Sequence, residues 1–90
     1  MAARVDYKAS VAKDLRKLDR QTAERILRKI EQVLASEQGH GKPLAGQFAG
    51  LCSLRVGDYR VVYASMEGRY LVLRIAHRRD VYAKGRPDLN

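Results

Sequence analysis

Cys52 is the only cysteine in the 90 residues, so no disulfide closes within the chain and no cysteine cluster can hold a metal. A reducing compartment is expected. The N-terminal run from Met1 to Tyr7 lacks the long apolar stretch of a secretion signal. No apolar run elsewhere approaches the roughly 20 residues that span a bilayer, which predicts a cytoplasmic protein away from membranes. Also missing are a Walker loop, a dinucleotide glycine fingerprint, a zinc-ligand spacing and a Gly-x-Ser-x-Gly elbow. Most enzyme classes fall away, and nothing calls for a cofactor or a metal.

What is present is a basic globular composition. Hydrophobic residues make up 46% and charged residues 31%, a balance that folds. The length fits one domain over residues 1–90, with 1–3 and 84–90 expected as flexible tails. Eighteen Lys and Arg against ten Asp and Glu give +8. So large a charge on so small a body attracts polyanions, with nucleic acid the leading class. No uninterrupted Lys/Arg block is present, and neither is a repeat or a low-complexity segment.

Periodicity orders the elements. Arg4 to Tyr7 reads as a short strand, and Ser10 can cap a first helix that runs to about Leu18 with Ala12, Leu15 and Leu18 on one stripe. Asp19 or Thr22 can cap a second helix, whose Ala23, Ile26, Leu27, Ile30, Val33 and Leu34 recur at three-and-four spacing. Little more than Asp19-Arg20 separates the two, which predicts an antiparallel helical hairpin. Arg16, Arg20, Arg25, Arg28 and Lys29 are expected to solvate its outer side.

From Gln38 to Gly50 four glycines and Pro43 interrupt regular structure, and His40 between glycines reads as an exposed loop residue. The period then changes to two. Cys52, Leu54 and Val56 alternate with Ser53 and Arg55, Gly57-Asp58 supplies a tight turn, and Tyr59 to Ala64 returns as a second strand. After Glu67-Gly68, Tyr70 to His77 completes a three-stranded antiparallel meander. The expected fold is α+β: an N-terminal strand, the helical hairpin and the meander form one sheet with helices on one face. The opposite face is expected to be free, with Arg55, Arg60 and the residues after His77 converging there.

Those residues suit phosphodiester chemistry. Cutting RNA through its own 2′-hydroxyl takes a base, donors for the extra negative charge at phosphorus, and an acid for the leaving 5′-oxygen. Guanidinium groups meet the second need. Alternation puts Arg60 on the face opposite Tyr59, Val61 and Tyr63, although a plain exposed strand arginine has the same pattern. Tyr82 reads equally well as a core aromatic closing the sheet edge.

The runs Leu54-Arg55-Val56-Gly57-Asp58-Tyr59-Arg60-Val61-Val62-Tyr63 and Ala76-His77-Arg78-Arg79-Asp80-Val81-Tyr82 resemble toxins of the RelE/ParE superfamily, and the likeness extends from about Val5 to Tyr82. In RelE-type members it implies a metal-independent endoribonuclease that enters the ribosomal A site beside 16S rRNA. There it cleaves mRNA, and a RelB-like antitoxin neutralises it. By the same resemblance Arg60 matches an arginine that contacts the scissile phosphate, and Arg78 a second catalytic arginine. Tyr82 matches a tyrosine that orients the reacting base and helps proton transfer. Arg55, Arg79, Lys42 and Ser53 are expected along the RNA path. Where some relatives place lysines on the first meander strand, this chain has Leu51 and Ser53. That leaves the general base open, with His77 a candidate because an imidazole exchanges protons near neutral pH. Two alternatives share the fold: a ParE-like toxin that poisons DNA gyrase by binding it, and a toxin-like subunit that only binds partners.

Overall fold

The computed structural model describes residues 4–36 and 41–89. His40 and the extreme termini, residues 1–3 and 90, lie outside the described residues. Strand β1 (Arg4–Tyr7) leads into helix α1 (Ala9–Arg16) and helix α2 (Arg20–Leu34). The two-residue strand β2 (Lys42–Pro43) and a 3-10 turn (Gly46–Phe48) precede β3 (Leu51–Val56), β4 (Tyr59–Met66) and β5 (Arg69–His77). Among the described residues these strands form one sheet in the order β1-β5-β4-β3-β2. The architecture is α+β. β1 runs parallel to β5, and the other neighbours are antiparallel.

Local chemistry sets the helix boundaries. Asp19 accepts from the Thr22 backbone N–H and so caps α2. Helix α1 departs from the expected start: Lys8 occupies the cap position without a side-chain bond, and Ser10 lies inside the first turn. Its buried anchor is Val11 and not Ala12, which is exposed. Starting the helix at Ala9 turns Val11 toward the sheet in phase with Leu15 and Leu18, which pack on the same cluster.

Under the helices, Ile26, Ile30 and Leu34 meet Leu54, Val56, Val61, Tyr63, Val72 and Ile75. The opposite face is not free, contrary to expectation. Phe48, Leu51, Val62, Ala64, Leu73 and Val81 form a second cluster there, with Leu44 and Ala76 against it. The loop after β2 and the segment after β5 supply this cover. The segment 84–89, expected to fray, is tied down. Arg86 Nη1 donates to the carbonyls of Gln47 and Ala49 at 3.1 and 2.7 Å, and Lys8 Nζ donates to that of Asp88 at 2.7 Å.

One irregularity controls which side chains face which layer. Val62 pairs with Arg74 and Tyr63 with Val72, so Leu73 is an extra, unpaired residue in β5. This bulge inverts the alternation beyond it. Leu73 and Arg74 both serve the second face, and Ile75 returns to the helix side.

Tyr63 links the core to the loop. Its hydroxyl accepts from the Gly41 N–H at 2.6 Å, and a side chain at Gly41 would collide with that hydroxyl and with the Ser53 carbonyl. Burial is the main cause that pushes the Tyr63 phenol up to about 12. Since the folded value is raised above the ordinary 10, the stability this neutral phenol contributes is complete below pH 10 and is lost as pH rises through about 12. Urea unfolding of wild type and Tyr63→Phe should show the variant less stable at pH 8 by about 1 kcal/mol, for the lost Gly41 bond. The difference should shrink and reverse as pH climbs past 10.

Candidate active site

The β3–β4 hairpin positions the cations. Gly57 and Asp58 form its two-residue loop, with positive φ (58°) at Gly57 only, the pattern of a type II′ turn whose twist matches the strands. Pairing across the hairpin sets Arg55 opposite Arg60 and Ser53 opposite Val62. Cross-strand partners share a face, and here that face is the one away from the helices. The second-face cover stops short of this end of the sheet and leaves a cleft of about 500 Å³. Its walls are Gly41, Lys42, Leu44, Ser53, Leu54, Arg55, Arg60 and Tyr82.

Five of the residues singled out from the sequence therefore share one concave site: Lys42, Ser53, Arg55, Arg60 and Tyr82. Lys42 arrives on β2, where Pro43 is tolerated because the strand lies at the sheet edge. Arg60 directs Nη1 toward the Tyr59 and Gly57 carbonyls at 3.2 and 3.4 Å, which leans its guanidinium toward the turn. Tyr82 packs edge-on against Phe48 with ring centroids 5.1 Å apart, yet keeps 37% of its surface exposed. It is thus a cleft wall resting on the core, which joins the two readings its sequence allowed.

The other three are placed elsewhere. Arg78 and Arg79 are exposed beyond β5. The Arg78 backbone N–H donates to the Asp58 carbonyl at 2.8 Å, so Arg78 stands beside the turn that receives Arg60, though outside the cleft walls. His77 does not join Arg60 and Tyr82. It pairs with Tyr59 across the strands and stacks edge-on against that ring at 5.7 Å, on the helix side. The Leu73 bulge is the reason: one extra residue turns His77 away from the cleft. There His77 lines a different groove with Asp14, Lys17 and Lys84, and its Nδ1 accepts from the Arg79 N–H at 3.2 Å.

Arg74 escaped attention in the sequence, where it reads as one more strand cation. Its Nη1 donates to the carbonyls of Val81 and Gly85 at 2.6 and 2.8 Å, one residue before Tyr82 and three residues after it. Arg74 is thus a positioning residue for the Tyr82 wall. Replacing it by Gln removes two charge-assisted bonds, each worth about 1.5–3 kcal/mol. Hydrogen exchange of the Ala83 and Gly85 amides should accelerate by roughly tenfold or more, the factor about 1.4 kcal/mol gives. The amides of β3 and β4 should be unaffected.

The family model for the ParE toxin of type II toxin-antitoxin systems (parDE) matches residues 5–82. Toxin RelE of Mycobacterium tuberculosis (strain ATCC 25618 / H37Rv) is 38% identical over 77 residues, 82% of this chain and 79% of the relative. Among solved structures, the M. tuberculosis toxin-antitoxin complex RelBE2 superposes with a TM-score of 0.77 at 26% identity, covering 89% of this chain and 95% of that one. A mutant of E. coli toxin RelE in the free state gives 0.72 at 24% identity over 92% and 93%, a likeness of fold. The same toxin mutant bound to an antitoxin RelB peptide gives 0.66 at 27% identity over 93% and 94%. With the family model spanning the sheet, both helices and Tyr82, this chain belongs to the RelE/ParE family of toxins from type II toxin–antitoxin systems.

Proposed function

We propose that this toxin is a ribosome-dependent endoribonuclease that cleaves mRNA in the cytoplasm and arrests translation, and that a RelB-like antitoxin neutralises it. The observation that carries the reading is the single cleft that holds Arg55, Arg60, Lys42 and Tyr82 together. A cleft with several cations and one phenol fits a phosphodiester as charge builds on it. The M. tuberculosis relative is a toxin named RelE, and solved relatives are held in complexes with antitoxins.

In this mechanism Arg60 and Arg55 hold the non-bridging oxygens of the scissile phosphate while the 2′-hydroxyl attacks phosphorus and the 5′-oxygen departs. Arg78 reaches the same phosphate from the turn, to which its backbone N–H is bonded at the Asp58 carbonyl, next to the Gly57 carbonyl that the Arg60 guanidinium meets. Tyr82 stacks on or orients the base and, with Lys42, supplies the proton-moving groups the cleft contains. Ser53, 9% exposed on its floor, contacts the strand. His77 takes no direct part, since it faces the helices.

An acidic antitoxin segment is the natural counterpart of so basic a surface, since complementary charge steers association. A second reading, a ParE-like gyrase poison, has the description of the matching family model in its favour. Primer extension on mRNA after induction separates the two. Wild type should give cuts within translated codons, lost when the start codon is removed. Arg60→Ala and Tyr82→Phe should lower cleavage by roughly 10²–10³-fold, the loss that follows removal of one transition-state donor, while His77→Gln stays within a few-fold. Intact mRNA together with broken DNA would replace the nuclease reading with gyrase poisoning.

A further inference from the structure

The nuclease cleft is not the only basic depression on the molecule. Between α2 and the β3–β4 turn lie two adjoining hollows of about 270 and 360 Å³ that share Arg25, Arg55, Val56 and Gly57 and so form one groove. Arg28, Lys29 and Gln32 extend it along α2, at the spacing that puts side chains on neighbouring turns of one helical face. The Arg25 guanidinium lies so close over Gly57 that a side chain at that position would strike it. Among the described residues, Arg25, Arg28, Lys29 and Arg55 enter no ion pair, and Asp58 is the one carboxylate lining the groove. The acids of α2, Glu24 and Glu31, do not line it. Arg25, Arg28 and Lys29 were expected merely to solvate the helix, and the groove gives them a common direction with Arg55.

Arg55 lines both this groove and the nuclease cleft. We infer that the groove is a second phosphate-binding track, which carries the substrate RNA strand out of the cleft, around the Arg55 edge of β3 and along α2. The inference rests on the nuclease reading and adds where the flanking nucleotides run. A polyanionic strand fits better than a protein partner, because the aliphatic side chains beneath the groove, Ile26 and Val56, are 1% and 6% exposed, and its one aromatic, the half-buried Tyr59, is spent on the core cluster and the His77 ring. A row of cations with little apolar contact is how proteins follow a single strand without reading its sequence.

The test uses the full chain and two 2′-O-methyl RNAs that cannot be cut: a trinucleotide, which fills the cleft alone, and an oligonucleotide of about a dozen residues, within the range of single-strand site sizes. Binding is followed by fluorescence anisotropy across a salt series for wild type, Arg25→Gln/Arg28→Gln/Lys29→Gln and the milder Arg28→Gln/Lys29→Gln. Glutamine keeps the helix, and circular dichroism checks each fold. The double variant leaves the Arg25 contact with the turn intact should the triple variant misfold.

For the longer strand, the slope of log K against log salt should fall by about 2 in the triple variant and about 1.4 in the double, at ~0.7 per single-strand phosphate contact. Trinucleotide affinity should stay at the wild-type value. An unchanged slope with folded variants overturns the track. So does equal weakening of both RNAs, or a loss confined to ribosomes or to an acidic antitoxin. Should wild type bind neither RNA, the track falls while the nuclease reading, which places cleavage on the ribosome, still stands or falls on primer extension; trinucleotide binding with an unchanged slope likewise removes the track alone.

Discussion

Four consecutive residues of β4, Val61 to Ala64, are buried, two against the helices and two on the opposite side of the sheet. A strand enclosed on both faces needs two covers, and this chain has helices for only one. The second cover is assembled from irregular pieces, the 44–48 loop and the 81–87 segment, whose backbone polar groups must find partners elsewhere. Arginines meet that need: Arg74 serves the Val81 and Gly85 carbonyls, and Arg86 those of Gln47 and Ala49. The cleft lies where this cover ends, so the same constraint that closes the core decides where Arg60 meets solvent and why Tyr82 stands beside it.

The frame of the fold was legible because it follows from periodicity and turn chemistry. α2 shows its buried stripe through Ile26, Ile30 and Leu34, Asp19 its cap, and Gly57-Asp58 its turn. The covered second face was not read, yet a signal for it exists. Val61-Val62-Tyr63-Ala64 and Leu71-Val72-Leu73 are apolar runs without alternation, the mark of strands buried on both sides. The partners that cover them, Leu44, Phe48 and Val81, are isolated apolar residues in segments with no period, so no pattern points to them.

Within the site, the near half was legible and the far half was not. Arg55 and Arg60 sit on continuous alternation beside a turn of fixed length, so their shared face can be counted directly. His77 lies four residues beyond the unpaired Leu73, and a count carried through that bulge arrives on the wrong face. Nothing in the run Leu71 to His77 announces an extra residue, since every position in it suits a strand. The bulge does useful work nonetheless. It keeps Leu73 and Arg74 on one side, so the same short stretch both fills the second core and holds the backbone around Tyr82.

A net charge of +8 says nothing of where the charge lies, and the fold distributes it unevenly. Arg4 and Arg69 share Asp6, whose carboxyl they hold below its ordinary range, and Arg20 pairs with Glu24. Arg74 and Arg86 are engaged by main-chain carbonyls. Cations committed in this way balance local dipoles and carboxylates, so they add little to the field a polyanion meets. Lys42 and Arg55, with Arg25, Arg28 and Lys29, instead flank the β3–β4 turn on its two sides, beside Arg60, which leans on the carbonyls of the turn itself. Charge concentrated around one hairpin in adjoining hollows focuses the potential there. A flexible anion would therefore be drawn to the hairpin edge before any specific contact forms, and Arg55, common to both hollows, stands where it would arrive.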